Sequence, residues 1–352
     1  MVEVDAIVGY LALGFCAWTL ASSLVCWSSK SPHKFPPTAT SLLSSNVHVL
    51  RRYFVTSHGL ALYVHKWLPR FDTRPKGVLF ILHGLGEHAG RYDHIARVMV
   101  TRGFAVFAVD HQGHGRSDGE RMFATKTQHL SEDFLEFVQH VLQTSKSGDN
   151  FSVLDPEVDA HAQVDWKRLP RFVLGHSMGG VLALQLLELS MQQDFTWTGV
   201  IVSSPPLWTV PGGGCPGILK LLARVLPRLQ LPPFEFAKLG DDSVVQTRWV
   251  RDPLMPKHGA TTQLMCSLLC EGDRFSKSDN ALAKNFPAPL YMLHGEQDAL
   301  TLSQGSVNFY TMCTHEDKTL NVVPGAVHEV LNLGGHEKVL EDIIGWMEAR
   351  SK

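Results

Sequence analysis

The chain has 352 residues, enough for one large α/β domain carrying an insertion and too many for a single small domain. Apolar residues make up 44% and charged residues 19%, so most of the chain can bury a core and wholesale disorder is excluded. A net charge of −2 leaves no basic footprint, which excludes a nucleic-acid-binding protein.

From Ala6 to Ser29 no residue is charged, and the run carries Ile7, Val8, Leu11, Leu13, Phe15, Trp18, Leu20, Leu24 and Val25. At about 1.5 Å per residue it reaches roughly 36 Å, enough to span a hydrocarbon core of about 30 Å with some tilt. Tyr10 and Trp27 stand near its two ends, where amphipathic rings prefer the interface. A cleaved signal peptide would want a basic start and a shorter apolar core, and the chain begins Met1-Val2-Glu3-Val4-Asp5. Residues 1–30 are therefore read as an N-terminal transmembrane anchor. Glu3 and Asp5 precede the run while Lys30, His33 and Lys34 follow it, which places the remainder of the chain in the cytosol by the positive-inside rule. Residues 31–46, rich in Ser, Pro and Thr, read as a linker.

From residue 47 to 352 short β-rich runs alternate with helical stretches. The expected strands are Ala61–Trp67, Gly77–Leu82, Ala105–Val109, Arg171–Leu174, Gly199–Val202, Pro289–Leu293 and Thr319–Val323. The expected helices include Ile95–Thr101, Leu130–Gln143, Val181–Met191 and Lys338–Ala349. Continuous apolar strands separated by helices predict an α/β fold, a mostly parallel sheet covered on both faces. Two stretches interrupt the alternation. Residues 145–168 are polar and acidic and read as a surface insertion. Residues 205–284 hold seven prolines between Pro205 and Pro233, Gly212-Gly213-Gly214, and apolar residues at helical spacing from Ile218 to Leu229. This second stretch reads as an inserted helical cap, either packed on the core or partly exposed as an apolar lid; the lid is the reading favoured.

Six cysteines do not form a disulfide framework: Cys16 and Cys26 lie in the apolar run, and Cys215, Cys266, Cys270 and Cys313 lack the CxxC spacing of metal and redox sites. They read as reduced thiols. Eighteen histidines include no HExxH, so no metal is expected.

Gly175-His176-Ser177-Met178-Gly179 carries the strongest signal. It is a G-x-S-x-G placed between the apolar run Phe172-Val173-Leu174 and the helix-like Val181-Leu182-Ala183-Leu184, the strand–turn–helix setting of a nucleophile elbow. The turn lifts the Ser177 hydroxyl to a helix N-terminus, whose dipole favours developing negative charge. A serine needs a base, and the base an orienting carboxylate, in the chain order Ser, acid, His. Asp298 follows the strand 289–293, and His328 follows the strand 319–323. Glu296, Asp317 and His336 compete less well by position. The oxyanion of an acyl-transfer intermediate needs two N–H donors, which this order assigns to Met178 and to Leu85 in His83-Gly84-Leu85-Gly86. His83 reads as structural. Asp110-His111-Gln112-Gly113-His114-Gly115-Arg116-Ser117 lacks the lysine and the spacing of a phosphate loop and reads as a tight turn.

Beyond these separate signals, His83-Gly84-Leu85-Gly86-Glu87-His88 with Gly90-Arg91-Tyr92, Gly113-His114-Gly115-Arg116-Ser117 with Gly119-Glu120-Arg121, Gly175-His176-Ser177-Met178-Gly179, Gly295-Glu296-Gln297-Asp298 and Gly325-Ala326-Val327-His328 occur in order. So arranged, the chain resembles the monoacylglycerol lipase branch of the α/β-hydrolases, with a serine aminopeptidase S33-type domain, over about residues 50–350. The resemblance implies cofactor-free hydrolysis of monoacylglycerol to glycerol and fatty acid through an acyl-serine, with Ser177, Asp298 and His328 as triad and Leu85 and Met178 as oxyanion hole. It also implies a hydrophobic cap that touches membrane, and a polar end for the glycerol at Glu87, Arg91 and His176. Glu87 and Arg91 read equally well as a buried structural ion pair. The anchor, the acidic insertion and Gly212-Gly213-Gly214 depart from the family's common core and bear on chain and head-group preference. Two other readings stay open: a lysophospholipase on the same triad, which Arg224, Arg228, Arg248 and Arg251 near the cap would suit, and a non-catalytic binding protein on a hydrolase fold.

Overall fold

The short apolar runs pair into one eight-stranded sheet: β1 Tyr53–Val55, β2 Ala61–Trp67, β3 Gly77–Leu82, β4 Phe104–Val109, β5 Arg171–His176, β6 Gly199–Ser203, β7 Leu290–Gly295 and β8 Lys318–Val323. The computed structural model describes residues 53–69, 74–143, 164–207, 215–233, 247, 249–332 and 336–352. The expected anchor and linker, most of the acidic insertion, Gly212-Gly213-Gly214 and Arg248 lie outside the described residues. Among the described residues no helix is long and apolar enough to cross a membrane.

The strand order is β1-β2-β4-β3-β5-β6-β7-β8. β2 runs antiparallel to both β1 and β4, and every neighbouring pair from β4 to β8 is parallel. The mostly parallel sheet is as the strand pattern predicts. β3, β4 and β7 are buried at every residue because helices cover both faces. One face packs under α2 (Thr127–Gln143), α3 (Met178–Gln192), α5 (Thr262–Ser276) and α7 (Ser303–Met312), through Phe80, Phe107, Phe134 and Leu182. The other packs under α1 (Asp93–Thr101) and α8 (His336–Ala349), through Ile81, Phe104, Ile343 and Trp346.

The differences from expectation have local causes. β1 was not expected, because three residues are too few to display an alternating pattern. The helices start two or three residues early: three open on polar residues that carry no apolar period, and α3 opens on Met178-Gly179-Gly180 of the serine turn. The insertion boundary at 168 is corrected: Trp166 is fully buried, 5.7 Å from Phe107 and perpendicular to it, so the last residues of that stretch belong to the core.

In the cap, α4 (Gly217–Val225) stops ahead of Pro227, which disfavours helix in the residue before it. A short α6 (Ala281–Lys284) closes the segment. α4 buries Leu219 and Ala223 while Ile218, Leu221, Val225 and the following Leu226 stand about half exposed, an apolar outer face. α5 sends Leu264, Leu268 and Phe275 into the core, and Arg274 grips Glu188 of α3 with two hydrogen bonds of 2.7 Å. Within this stretch α5 packs on the core and α4 exposes an apolar face.

Candidate active site

β3 and β5 lie side by side and parallel, with Leu82 opposite Gly175, so the loops leaving their C-terminal ends must meet. The chain order reverses there, β4 lying on one side of β3 and β5 on the other, which opens a crevice at the strand ends. Ser177 sits in that crevice at φ 54°, ψ −120°, a backbone region that costs a non-glycine residue about 1–3 kcal/mol. The elbow is held by the Ser177 N–H donating to Ser203 O at 2.8 Å and the Gly180 N–H donating to Ser177 O at 2.9 Å. Its glycines are required by space: a Cβ at Gly175 would stand 2.1 Å from Gly179 O, and one at Gly179 2.0 Å from Leu82 O.

The three separated residues Ser177, His328 and Asp298 come together in one line. Ser177 Oγ lies 3.0 Å from His328 Nε2, and His328 Nδ1 lies 2.7 Å from Asp298 Oδ2. Asp298 accepts only, so His328 carries its proton on Nδ1 and turns the Nε2 lone pair to the serine. Asp298 Oδ1 accepts from the N–H groups of Leu300 at 2.8 Å and Thr301 at 2.9 Å; Oδ2 also accepts from the Thr301 hydroxyl at 2.7 Å and faces His294 Nε2 at 3.1 Å. Burial by itself would raise its pKa, but the bonds from His294, His328 and Thr301 win and hold the carboxyl far below the ordinary carboxylate range. An ionised acid behind a correctly tautomeric imidazole can accept the serine proton, the arrangement of acyl transfer.

The competing residues are elsewhere. Glu296 is exposed and braces the turn before His328 by accepting from the Gly325 N–H at 3.0 Å. Asp317 pairs with Arg350, and His336 packs edge-on against His94. Met178 opens α3 directly behind the serine, where first-turn N–H groups have no intrahelical acceptor, and Leu85 lines the cavity facing Ser177. His83 is fully buried, donates from Nδ1 to Gly84 O at 2.8 Å and accepts the His111 N–H on Nε2 at 2.9 Å. Burial and the neighbouring His111 and His114 push its pKa well down, so it is a neutral brace for the loop that carries Leu85.

Glu87, Arg91 and His176 do converge beside the triad, in a network with a member that sequence reasoning missed, Glu329. Glu87 accepts from the Gly84 N–H, from Tyr92 OH at 2.6 Å and from Arg91 Nε at 3.0 Å, so both its oxygens are engaged. Arg91 also faces Glu329 at 3.6 Å and lies over the Trp249 ring at 4.5 Å. His176 Nε2 stands 3.7 Å from Glu329 Oε1, an ionic contact too long for a hydrogen bond, while its Nδ1 meets Ser203 Oγ at 3.2 Å. Burial would lower the His176 pKa; the carboxylates of Glu329, Glu87 and Asp298 outweigh it and raise the pKa. Burial would likewise raise Glu329, and His176 and Arg91 hold it far down. The buried ion pair is present, and it is larger than the two residues first considered. Thr301 and Glu329 were within reach of sequence reading, three residues after the acid and one after the histidine; Trp249 carried no signal.

A cavity of about 70 Å³ lies over Ser177, walled by Leu85, Met265, Leu268, Leu269 and Trp249 on its apolar side and by Glu87, His176 and Glu329 at its polar end. The site therefore offers a serine nucleophile, a base, an ionised acid and a pocket that is oily at one end and polar at the other.

This sheet, with its second strand antiparallel and a serine elbow after the fifth, defines an α/β-hydrolase. Residues 73–332 match the family model described as serine aminopeptidase, S33, and the chain belongs to that family. It is 32% identical to the monoglyceride lipase of Homo sapiens over 81% of this chain and 88% of that protein, and 29% identical to the monoacylglycerol lipase of Mycolicibacterium smegmatis over 82% and 93%. The crystal structure of the monoacylglycerol lipase of Paleococcus ferrophilus superposes with a TM-score of 0.63 at 25% identity, covering 82% of this chain and 99% of that one. The likeness to monoacylglycerol lipases read from the motifs is borne out, and the chain is a serine ester hydrolase.

Proposed function

We propose that the protein is a monoacylglycerol lipase that works through an acyl-serine. Ser177 attacks the ester carbonyl as His328 takes its proton; the N–H groups of Leu85 and Met178 receive the oxyanion; His328 then protonates the departing glycerol oxygen. Water, activated by the same imidazole, releases the fatty acid, and Asp298 holds the ring throughout. The observation that carries this reading is the 2.7 Å and 3.0 Å relay from Asp298 through His328 to Ser177 under a cap with an oily outer face.

The polar end of the cavity favours a neutral head. Glu87 and Glu329 stand against Arg91 and His176, so the carboxylates already balance the cations and a phosphate would find no spare positive charge. Arg228, one of the arginines that would suit a lysophospholipid, is engaged with Glu120 at 2.8 Å. The cavity of about 70 Å³ over Ser177 holds a few waters, and in this reading the cap moves to admit an acyl chain. Residues 1–30 anchor the chain to a membrane in this reading, residues 31–46 tether the domain close to the cytosolic surface, and the face of Ile218, Leu221 and Val225 meets the lipid from which substrate is drawn.

Fatty-acid release from 2-monoacylglycerol and from lysophosphatidylcholine, with Ser177→Ala as control, tests the proposal. Preferential monoacylglycerol cleavage, lost by about 10⁴-fold or more in the variant, supports it. Faster lysolipid cleavage replaces the substrate, and no cleavage of either sinks the lipase reading.

A further inference from the structure

Cys215, Cys266 and Cys270, scattered in sequence, bring their thiols together in the cap. Cys215 Sγ lies 3.4 Å from Cys266 Sγ, Cys266 Sγ lies 4.0 Å from Cys270 Sγ, and all three sulfurs fall within 4.8 Å of one another. Cys266 and Cys270 are one turn apart on α5 and so share a face; Cys215 enters from the residues just ahead of α4. Sequence spacing missed the group because its members come from two elements, with no CxxC pair among them.

The spacing suits one cation. Thiolates about 2.3 Å from a shared metal stand roughly 3.8–4.0 Å from each other, so these sulfurs, all within 4.8 Å of one another, need to shift by no more than about 1 Å. Cys215 is buried, while Cys266 and Cys270 are half-buried, which leaves an entry path from solvent. Charge selects among soft ions. Zn²⁺ with three thiolates leaves a net charge of −1 and Cu⁺ leaves −2, so Zn²⁺ leaves the smaller charge in a partly buried site.

We propose that Cys215, Cys266 and Cys270 form a three-thiolate Zn²⁺ site that pins cap helix α4 to α5. Binding exchanges three thiol protons for the ion: Zn²⁺, three thiols and one water give a Zn(thiolate)₃(water) centre of charge −1 and three released protons. Affinity therefore rises with pH. The consequence is mechanical. The face of α5 that carries Met265, Leu268 and Leu269 walls the catalytic cavity, and α4 carries the exposed apolar residues. A cross-link between the two helices stiffens the cap over the serine, whatever ester the serine cleaves.

The test uses the full chain, reduced and stripped with a chelator, then titrated with Co²⁺ and afterwards with Zn²⁺. One equivalent of Co²⁺ giving a thiolate-to-cobalt charge-transfer band that Zn²⁺ abolishes, and a Tm raised by Zn²⁺, is the expected result. Cys215→Ser, Cys266→Ser and Cys270→Ser each lose the band, while Cys313→Ser, at a buried thiol outside the group, keeps it. Labelling of Ser177 by a fluorophosphonate reports that each variant is folded. Should a variant fail that check, alkylation of the wild type with and without Zn²⁺, mapped by peptide, reads protection of the same three thiols directly. The proposal is overturned if the wild type gives no band, if the band survives loss of any one of these thiols, or if the chain takes Cu⁺ from a competing chelator while ignoring Zn²⁺.

Discussion

Glu329, the residue after the triad histidine, faces His176, the residue before the nucleophile, across 3.7 Å of buried space. The β8 loop and the β5 elbow are thereby tied together one residue away from the Ser177–His328 contact, so the geometry of the relay depends on a pair that does not itself belong to it. The pair has opposite pH limits. The depressed Glu329 pKa contributes stability present above the ordinary carboxylate pKa of about 4.3 and lost as pH falls through the folded value. The raised His176 pKa contributes stability fully present below about 6.5 and lost as pH rises through the folded value. Glu329→Gln should cost about 3 kcal/mol near pH 6 and progressively less towards pH 9. Thermal melts across pH 4–9 decide it: wild-type and variant curves that run parallel refute the pairing.

Ser177 stores backbone strain that glycine would release. Ser177→Gly and Ser177→Ala should both abolish turnover, yet the glycine variant should be more stable than the alanine variant by about 1 kcal/mol, after allowing for the greater unfolded-state freedom of glycine. Equal melting temperatures would show that φ 54° carries no cost here.

Thr301 holds Asp298 by both its N–H and its hydroxyl. Thr301→Val keeps the shape and the N–H while removing the hydroxyl donor, and should lower kcat about tenfold with little change in KM, since a hydrogen bond to a charged group is worth about 1.5–3 kcal/mol. Asp298→Asn should cost about 10⁴-fold through the wrong imidazole tautomer. A Thr301→Val enzyme with wild-type kcat would remove the threonine from the relay's support.

Asp133, buried in α2, has its carboxyl pushed up to about 6 by burial, with Glu136 and Glu132 adding repulsion. A carboxyl whose folded pKa exceeds its unfolded pKa binds its proton more tightly when folded. Its contribution to stability therefore declines as pH rises from about 4 to about 6 and stays low above that. Asp133→Asn should remove that slope and leave the protein more stable than wild type at pH 8. Urea unfolding at pH 5 and pH 8 measures it, and an unchanged difference between the two pH values contradicts the assignment.

What could be read without a structure, and what could not, divides along a physical line. The strand Gly77–Leu82 has the bounds its apolar run predicts, because a strand buried on both faces writes its burial into consecutive residues. The elbow was legible because Gly175 and Gly179 are dictated by backbone approaches of about 2 Å, a local demand that leaves a local motif. Asp298 and His328 were legible because parallel strands put their following loops at one edge of the sheet, so chain order stands in for position. Contacts between elements leave no such trace. The seat of Arg91 on Trp249, the reach of Glu329 to His176 and the meeting of Cys215 with Cys266 each join segments whose separation in the chain says nothing of their distance in space. Covalent order and steric necessity set the sheet and the serine turn; the charge balance around the serine and the thiol group in the cap were decided only when the helices packed.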